Sequence, residues 1–206
     1  MLAETTTGPN LLADGSQKPL RSDRSGALVV TDAHGRYTEA VLRGNVFIAA
    51  NQAVQALSLN STATATGLIL TNPAGSGKNL VLLEIEAYIA AAITAVANVA
   101  LMANVNPVAA AVVHTTPLSV RNALIGGAPA GVGLADSAAT LPAVPVLVRS
   151  LFGWHWVTAG TPAVQLGVKD DLGGSLIVAP GCSVSLAAVT VAHTVVASIM
   201  WEEIPV

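Results

Sequence analysis

The sequence predicts an all-β protein, a sandwich or barrel behind an extended N-terminal arm, and three observations carry that expectation. Hydrophobic residues make up 52% of the 206, yet aromatics only 3%. The core must therefore come from Ala, Val, Leu and Ile, small or β-branched side chains that suit stacked pleated sheets better than ridged helices. Short apolar runs recur between clusters of Gly, Pro and Asn, the punctuation of an antiparallel β protein. Charge is unevenly spread, with ten charged residues in positions 1–45 and eleven in the remaining 161.

Residues 1–50 read as the arm: charge-mixed, rich in Gly, Ser, Thr, Asn and Pro, and with few apolar runs before Ala27. Residues 51–206 form the body. Strands are expected at Gln55–Leu59 and Gly67–Thr71, the latter ending at Asn72-Pro73-Ala74-Gly75-Ser76-Gly77. Leu80–Ala90, Asn98–Met102 and Val144–Phe152 follow, then Ala163–Val168, stopped by Asp170-Asp171-Leu172-Gly173-Gly174. Ser175–Val178, Ser183–Ala192 and Val195–Glu202 complete the set. Two stretches invite helix instead. Ala87–Ala97 is alanine-rich, and Leu118–Ile125 is preceded by Thr116-Pro117 and stopped by Gly126-Gly127. Residues 126–145 read as a long, contact-making loop.

Composition narrows the partners. The net charge of −3 supplies no basic face for nucleic acid. A single cysteine, Cys182, makes no intramolecular disulfide. Met1-Leu2-Ala3-Glu4-Thr5 has neither a basic nor an apolar leader segment, so no secretory signal is expected and the sequon Asn60-Ser61-Thr62 reads as chance. Ala87–Val120 carries no charge, but Asn98, Asn104, Asn106 and Pro107 interrupt it and the period-two run Leu83-Glu84-Ile85-Glu86 precedes it, which argues against a membrane helix. Many strands are apolar on both faces, and 11 charges over residues 46–206 cannot solvate the whole surface. An obligate homo-oligomer is the expectation.

The chemical motifs point away from catalysis. Ala74-Gly75-Ser76-Gly77-Lys78-Asn79 imitates a phosphate loop, but Asn72 stands where the first glycine belongs and Asn79 where magnesium needs Ser or Thr. It reads as a glycine-rich turn. His34, His114, His155 and His193 lack zinc-ligand spacing, apart from Asp32 beside His34. His155 is expected to point away from Trp154 and Trp156, and Cys182 to be a small buried residue. Asp32 and His34 could serve a hydrolase, yet no Gly-x-Ser-x-Gly elbow occurs. The acid pairs Glu84/Glu86, Asp170/Asp171 and Glu202/Glu203 lack aromatic sugar platforms. No catalytic, cofactor or metal site is expected, and no enzyme.

Ser25-Gly26-Ala27-Leu28-Val29-Val30-Thr31-Asp32-Ala33-His34-Gly35-Arg36-Tyr37 and Arg43-Gly44-Asn45-Val46-Phe47 resemble the N-terminal region of tailed-bacteriophage virion proteins. Leu70-Thr71-Asn72-Pro73-Ala74-Gly75-Ser76-Gly77-Lys78-Asn79-Leu80-Val81-Leu82 is similar to a strand–turn–strand of phage head accessory proteins. Leu118-Ser119-Val120-Arg121-Asn122 and Ser198-Ile199-Met200-Trp201-Glu202-Glu203-Ile204-Pro205 resemble them too. The resemblance implies a jelly-roll-like sandwich of about eight strands and a capsid decoration, or cement, protein. Such a protein is often a homotrimer, is bound to the major capsid protein, and sits on the virion surface after synthesis in the host cytoplasm. A tail, collar or fibre component, with a glycan as possible ligand, is the alternative. Within the arm, Arg21, Arg24, Arg36 and Arg43 are the candidate partner-interface residues, able to grip carboxylates through two parallel bonds. Residues 17–50 are expected to lie across a neighbouring subunit or the capsid.

Overall fold

The computed structural model describes residues 35–90, 96–104, 111–126, 130–154 and 167–206. The chain divides into two units, Met1–Glu39 and Ala40–Val206, and every described strand belongs to the second. A single helical turn, α1 (Thr38–Leu42), precedes the strands. These are β1 (Val46–Ala50), β2 (Gln55–Ala56), β3 (Thr64–Thr71), β4 (Lys78–Ile89), β5 (Ala97–Asn104) and β6 (Val113–Leu118). After them come β7 (Arg121–Asn122), β8 (Leu134–Thr140), β9 (Val146–Trp154), β10 (Gly167–Val178), β11 (Ser183–Ala188) and β12 (Thr194–Pro205).

The fold is an all-β sandwich of two antiparallel sheets. One runs β10-β4-β12-β1-β7 with β2 attached to β12, and the other runs β6-β8-β3-β11-β5-β9. Eight strands, β1, β3, β4, β5, β9, β10, β11 and β12, form a frame. Numbered along the chain, the sixth, third, eighth and first lie side by side in one sheet, and the second, seventh, fourth and fifth in the other. The β6–β8 segment is inserted between the fourth and fifth and extends both sheets at one side, β7 on β1 and β8 on β3.

One core joins the sheets. Phe47, Leu80, Leu82, Ile85, Val195, Ile199 and Trp201 come from the first, and Leu68, Leu70, Val99, Leu101, Val184 and Leu186 from the second. Strand β12 shows the cleanest local cause, because its residues alternate buried and half-buried along nearly the whole strand. In β4 the alternation slips once. Met200 pairs with Glu84 and Trp201 with Leu82, so Leu83 is an extra residue. This bulge moves the inward set from Leu80 and Leu82 to Ile85 and Ala87. All six residues of β11 are buried, Ser183 and Ser185 included, because β11 is flanked on both sides by β3 and β5 within its sheet.

Several sequence expectations are corrected. Asp170–Gly174 does not end a strand. β10 runs through it, with a register shift between Asp171 and Leu176. Gly173 and Gly174 there adopt φ of 54° and 83°, conformations glycine reaches without a Cβ penalty. A bulge and a turn make the same demand on sequence, which is why the segment reads as a stop. Leu118–Ile125 is not a helix: Leu118 ends β6, and Arg121 and Asn122 pair with Ile48 and Phe47. Residues 126–145 contain β8 and are not one loop. Ala87–Ile89 belong to β4, while residues 91–95 lie outside the described set. Residues 46–50, assigned to the arm, are β1, paired along their full length with β12. Gln55–Leu59 shortens to Gln55–Ala56 plus one bridge at Leu59, and Ser183–Ala192 shortens to Ser183–Ala188. Among the described residues no helix is long and apolar enough to cross a membrane, and Ala87–Val120 holds the end of β4, β5 and β6.

Candidate functional site

The phosphate-loop look-alike joins β3 to β4 with no helix after it, and Asn72 organises it. Its buried amide donates to the carbonyls of Lys78 and Val178, both at 2.8 Å, and its Oδ1 accepts from Ser76 Oγ at 2.7 Å. The Asn72 backbone donates to Cys182 O and accepts from Gly181 N. One side chain thus ties the β3–β4 turn to the β10–β11 turn. The residue that breaks the nucleotide motif is the one that builds the structural turn.

The acid pairs separate by face. Glu84 and Glu86 lie on the outer face of the first sheet. Lys169 on β10 bridges them, with Nζ 2.8 Å from Glu84 and 3.7 Å from Glu86. The bond to Glu84 is the main reason the Lys169 ammonium is held above its usual 10.5, with charge from Glu84, Glu86 and Asp171 adding to it. Next to it, Arg149 on β9 grips Asp170 on β10 through two bonds of 2.6 and 3.0 Å and so links the two sheets at one edge. Glu202 and Glu203 point to opposite faces. Glu203 is buried and accepts from the backbone N–H groups of Val132 and Gly133 and from the Trp201 indole. Alternation along β12 could have flagged Glu203, because it shares parity with Trp201.

Sequence reasoning weighed His114 as a zinc ligand but did not pair it with Asp136. Asp136 is fully buried on β8, and its Oδ2 lies 2.5 Å from Nδ1 of the exposed His114 on β6. They border a cleft of about 450 Å³ whose walls include Phe47, Leu118, Val120 and Leu134. A signal was available, since Asp136 is the only charge between Arg121 and Arg149. Its partner was not, because the β6–β8 register makes the pair. His193 is buried, with Nδ1 2.9 Å from Val191 O. His34 and His155 lie outside the described residues, as do Asp32 and Trp156. Among the described residues no three His, Cys, Asp or Glu side chains come together as a metal site.

Cys182 is half-buried rather than buried, and loss of water around it pushes the thiol above its ordinary 9.0. Folding therefore disfavours the thiolate. Cys182 should react with a maleimide more slowly in the native protein than in urea at neutral pH, and stability should fall as pH rises past 9.0. Equal native and denatured labelling rates would contradict this.

Of the four candidate arginines, Arg21 and Arg24 lie outside the described residues. Arg36 is exposed with its guanidinium 5.2 Å above the Tyr37 ring, and Arg43 is exposed in the turn after α1. The surface feature that sequence did not isolate is β9, where Val146, Leu147 and Val148, with Val144 just before them, are 38–53% exposed. Comparison of the chain with protein-family models, with curated proteins and with solved structures finds no match in any of the three.

Proposed function

We propose that the chain is a structural virion protein, a capsid decoration or cement protein whose eight-strand frame is a jelly roll. The observation that carries this reading is the strand order: sixth-third-eighth-first in one sheet and second-seventh-fourth-fifth in the other. That order is expected of two interlocked Greek keys, an arrangement used in viral capsid proteins. Fold alone does not fix function, so the phage-like segments matter as well. Leu70–Leu82 spans the end of β3, the Asn72 turn and the start of β4, and Ser198–Pro205 is the last two-thirds of β12.

A cement protein binds the assembled shell and not its separated subunits, so binding energy adds directly to shell stability. In this reading the chain is a homo-oligomer, with a trimer favoured, seated on the major capsid protein. Arg21, Arg24, Arg36 and Arg43 supply carboxylate contacts, each worth about 0–1 kcal/mol where exposed. Electron microscopy of particles assembled without the protein tests it. Heads that form but rupture at lower temperature, with normal tails, are expected. Intact heads with defective tails or fibres would instead support the tail-component alternative, and a glycan array would then look for its ligand.

A further inference from the structure

We infer that the cleft beside His114 and Asp136 is a binding site for a primary alkylammonium group, carried by a small amine or by a lysine side chain of a partner protein. The inference goes beyond the capsid reading, which places its contacts on the arm arginines and assigns nothing to this cleft.

The site starts from a buried charge. Asp136 is fully buried on β8, and only one of its oxygens is engaged. Oδ2 meets His114 Nδ1, while Oδ1 is buried with no hydrogen-bond partner among the described residues. A buried carboxylate is costly unless its charge is matched. Glu203, beside Gly131 and Gly133 of the cleft wall, shows the contrast, because it accepts from Val132 N, Gly133 N and the Trp201 indole. Asp136 has one ring and nothing more. No Lys or Arg lines the cleft. Arg121 sits between two residues that do, Val120 and Asn122, and alternation turns its exposed side chain the other way. Arg149 and Lys169 are already paired, with Asp170 and with Glu84 and Glu86. Two buried carboxylates and no lining cation give the cleft a negative potential, which its apolar walls concentrate.

Asp136 is sealed from solvent, so a ligand meets it through the ring. A carboxylate only accepts, so the His114 Nδ1–H donates to it, and Nε2 of the neutral ring keeps a lone pair. The other polar side chain on the wall, Asn122, is satisfied internally by Gly44 O and Leu124 N. An ammonium that donates to Nε2 therefore stands at the end of a hydrogen-bonded chain whose far end is the Asp136 carboxylate. Phe47, Leu118, Val120 and Leu134 are the apolar walls of a space of about 450 Å³, which holds an aliphatic stem together with its head group. A single acceptor suits a compact ammonium better than a planar guanidinium, which is matched by paired acceptors. Anions meet the wrong charge.

The test titrates the full chain with n-butylammonium, with 1-butanol as its neutral counterpart and with valerate as the anionic one. Protein NMR follows the His114 ring protons at alkaline pH, where a histidine ring is neutral. Butylammonium should shift those protons saturably, 1-butanol should bind about tenfold or more weakly, and valerate should not bind. Asp136→Asn keeps the size and removes the charge. It should abolish the preference for butylammonium and leave 1-butanol binding unchanged, which a misfolded cleft would not do. His114→Phe keeps a ring over Asp136, removes Nε2, and should erase the same preference. The wild-type comparison of the three probes stands whether or not either variant folds. Nα-acetyl-lysine methylamide carries the same ammonium on a peptide. Binding at least as tight as butylammonium assigns the site to a partner's lysine, and binding of butylammonium alone assigns it to a small amine. No saturable binding of butylammonium, equal binding of 1-butanol or valerate, or a preference that survives in Asp136→Asn would overturn the inference.

Discussion

Trp201→Ala should be the most damaging single truncation in the sandwich, costing about 3–5 kcal/mol. Trp201 is fully buried at the centre of the first sheet, paired with Leu82 on β4 and Phe47 on β1. Its ring stacks on Phe47 with centroids 6.1 Å apart and planes at 30°, and its indole N–H reaches Glu203 Oε1 at 3.3 Å. In a chain with few aromatics nothing nearby can swell to refill the space, because the surrounding side chains are mostly Leu, Val and Ala. A domain of this size shifts by roughly 2–4 °C per kcal/mol, so a thermal melt should fall by about 10 °C. Trp201→Phe keeps much of the stacking, loses the indole bond, and should fall by less than half as much. A melt of the alanine variant within a degree or two of wild type would remove Trp201 from the centre of the energetic account.

Asn72→Asp should be the second large effect, although it changes almost no volume. The amide nitrogen donates to two carbonyls, and a carboxylate in its place would set oxygen against oxygen in a buried site. Losing two buried hydrogen bonds and leaving their acceptors unsatisfied costs about 2–4 kcal/mol, and placing a charge there adds to it. Asn72→Ala should cost less than Asn72→Asp, because it leaves a gap without repulsion. Ser76→Ala removes only the hydroxyl bonds at the half-buried rim and should cost about 1 kcal/mol or less. Urea unfolding of the three variants gives the ranking. If aspartate is tolerated as well as alanine, Asn72 is not the clamp described.

The strands were legible where alternation and punctuation coincide. Val195–Glu202 falls inside β12, Leu80–Ala90 overlaps β4 almost completely, and Asn98–Met102 lies within β5. The failures share one cause, which is local signals answered by distant partners. Thr116-Pro117 is a fair helix start, and Leu118–Ile125 has a fair helix composition. But Arg121 and Asn122 find partners in β1, Ala123 N donates to Val46 O, and the Asn122 amide donates to Gly44 O at 2.7 Å. Backbone bonds to a strand some 75 positions away outweigh a few tenths of a kcal/mol of helix propensity. The same holds for the candidate site: His114 and Asp136 are 22 residues apart, and a register with two shifts brings them together.

Taken alone, the amino-acid sequence determined that this protein is built of strands, that its core is aliphatic, and that its glycine-rich loop near Lys78 is a turn. Each of these follows from residue type and near-neighbour spacing, which act over a few positions. The tertiary structure alone decided which strands lie side by side, that Glu203 is buried while Glu202 is not, and that β1 belongs to the sheet. A period of two says that a segment is a strand and says nothing about its neighbour. Pairing is chosen by which long-range closure buries the most apolar surface while satisfying the backbone, a property of the whole chain at once.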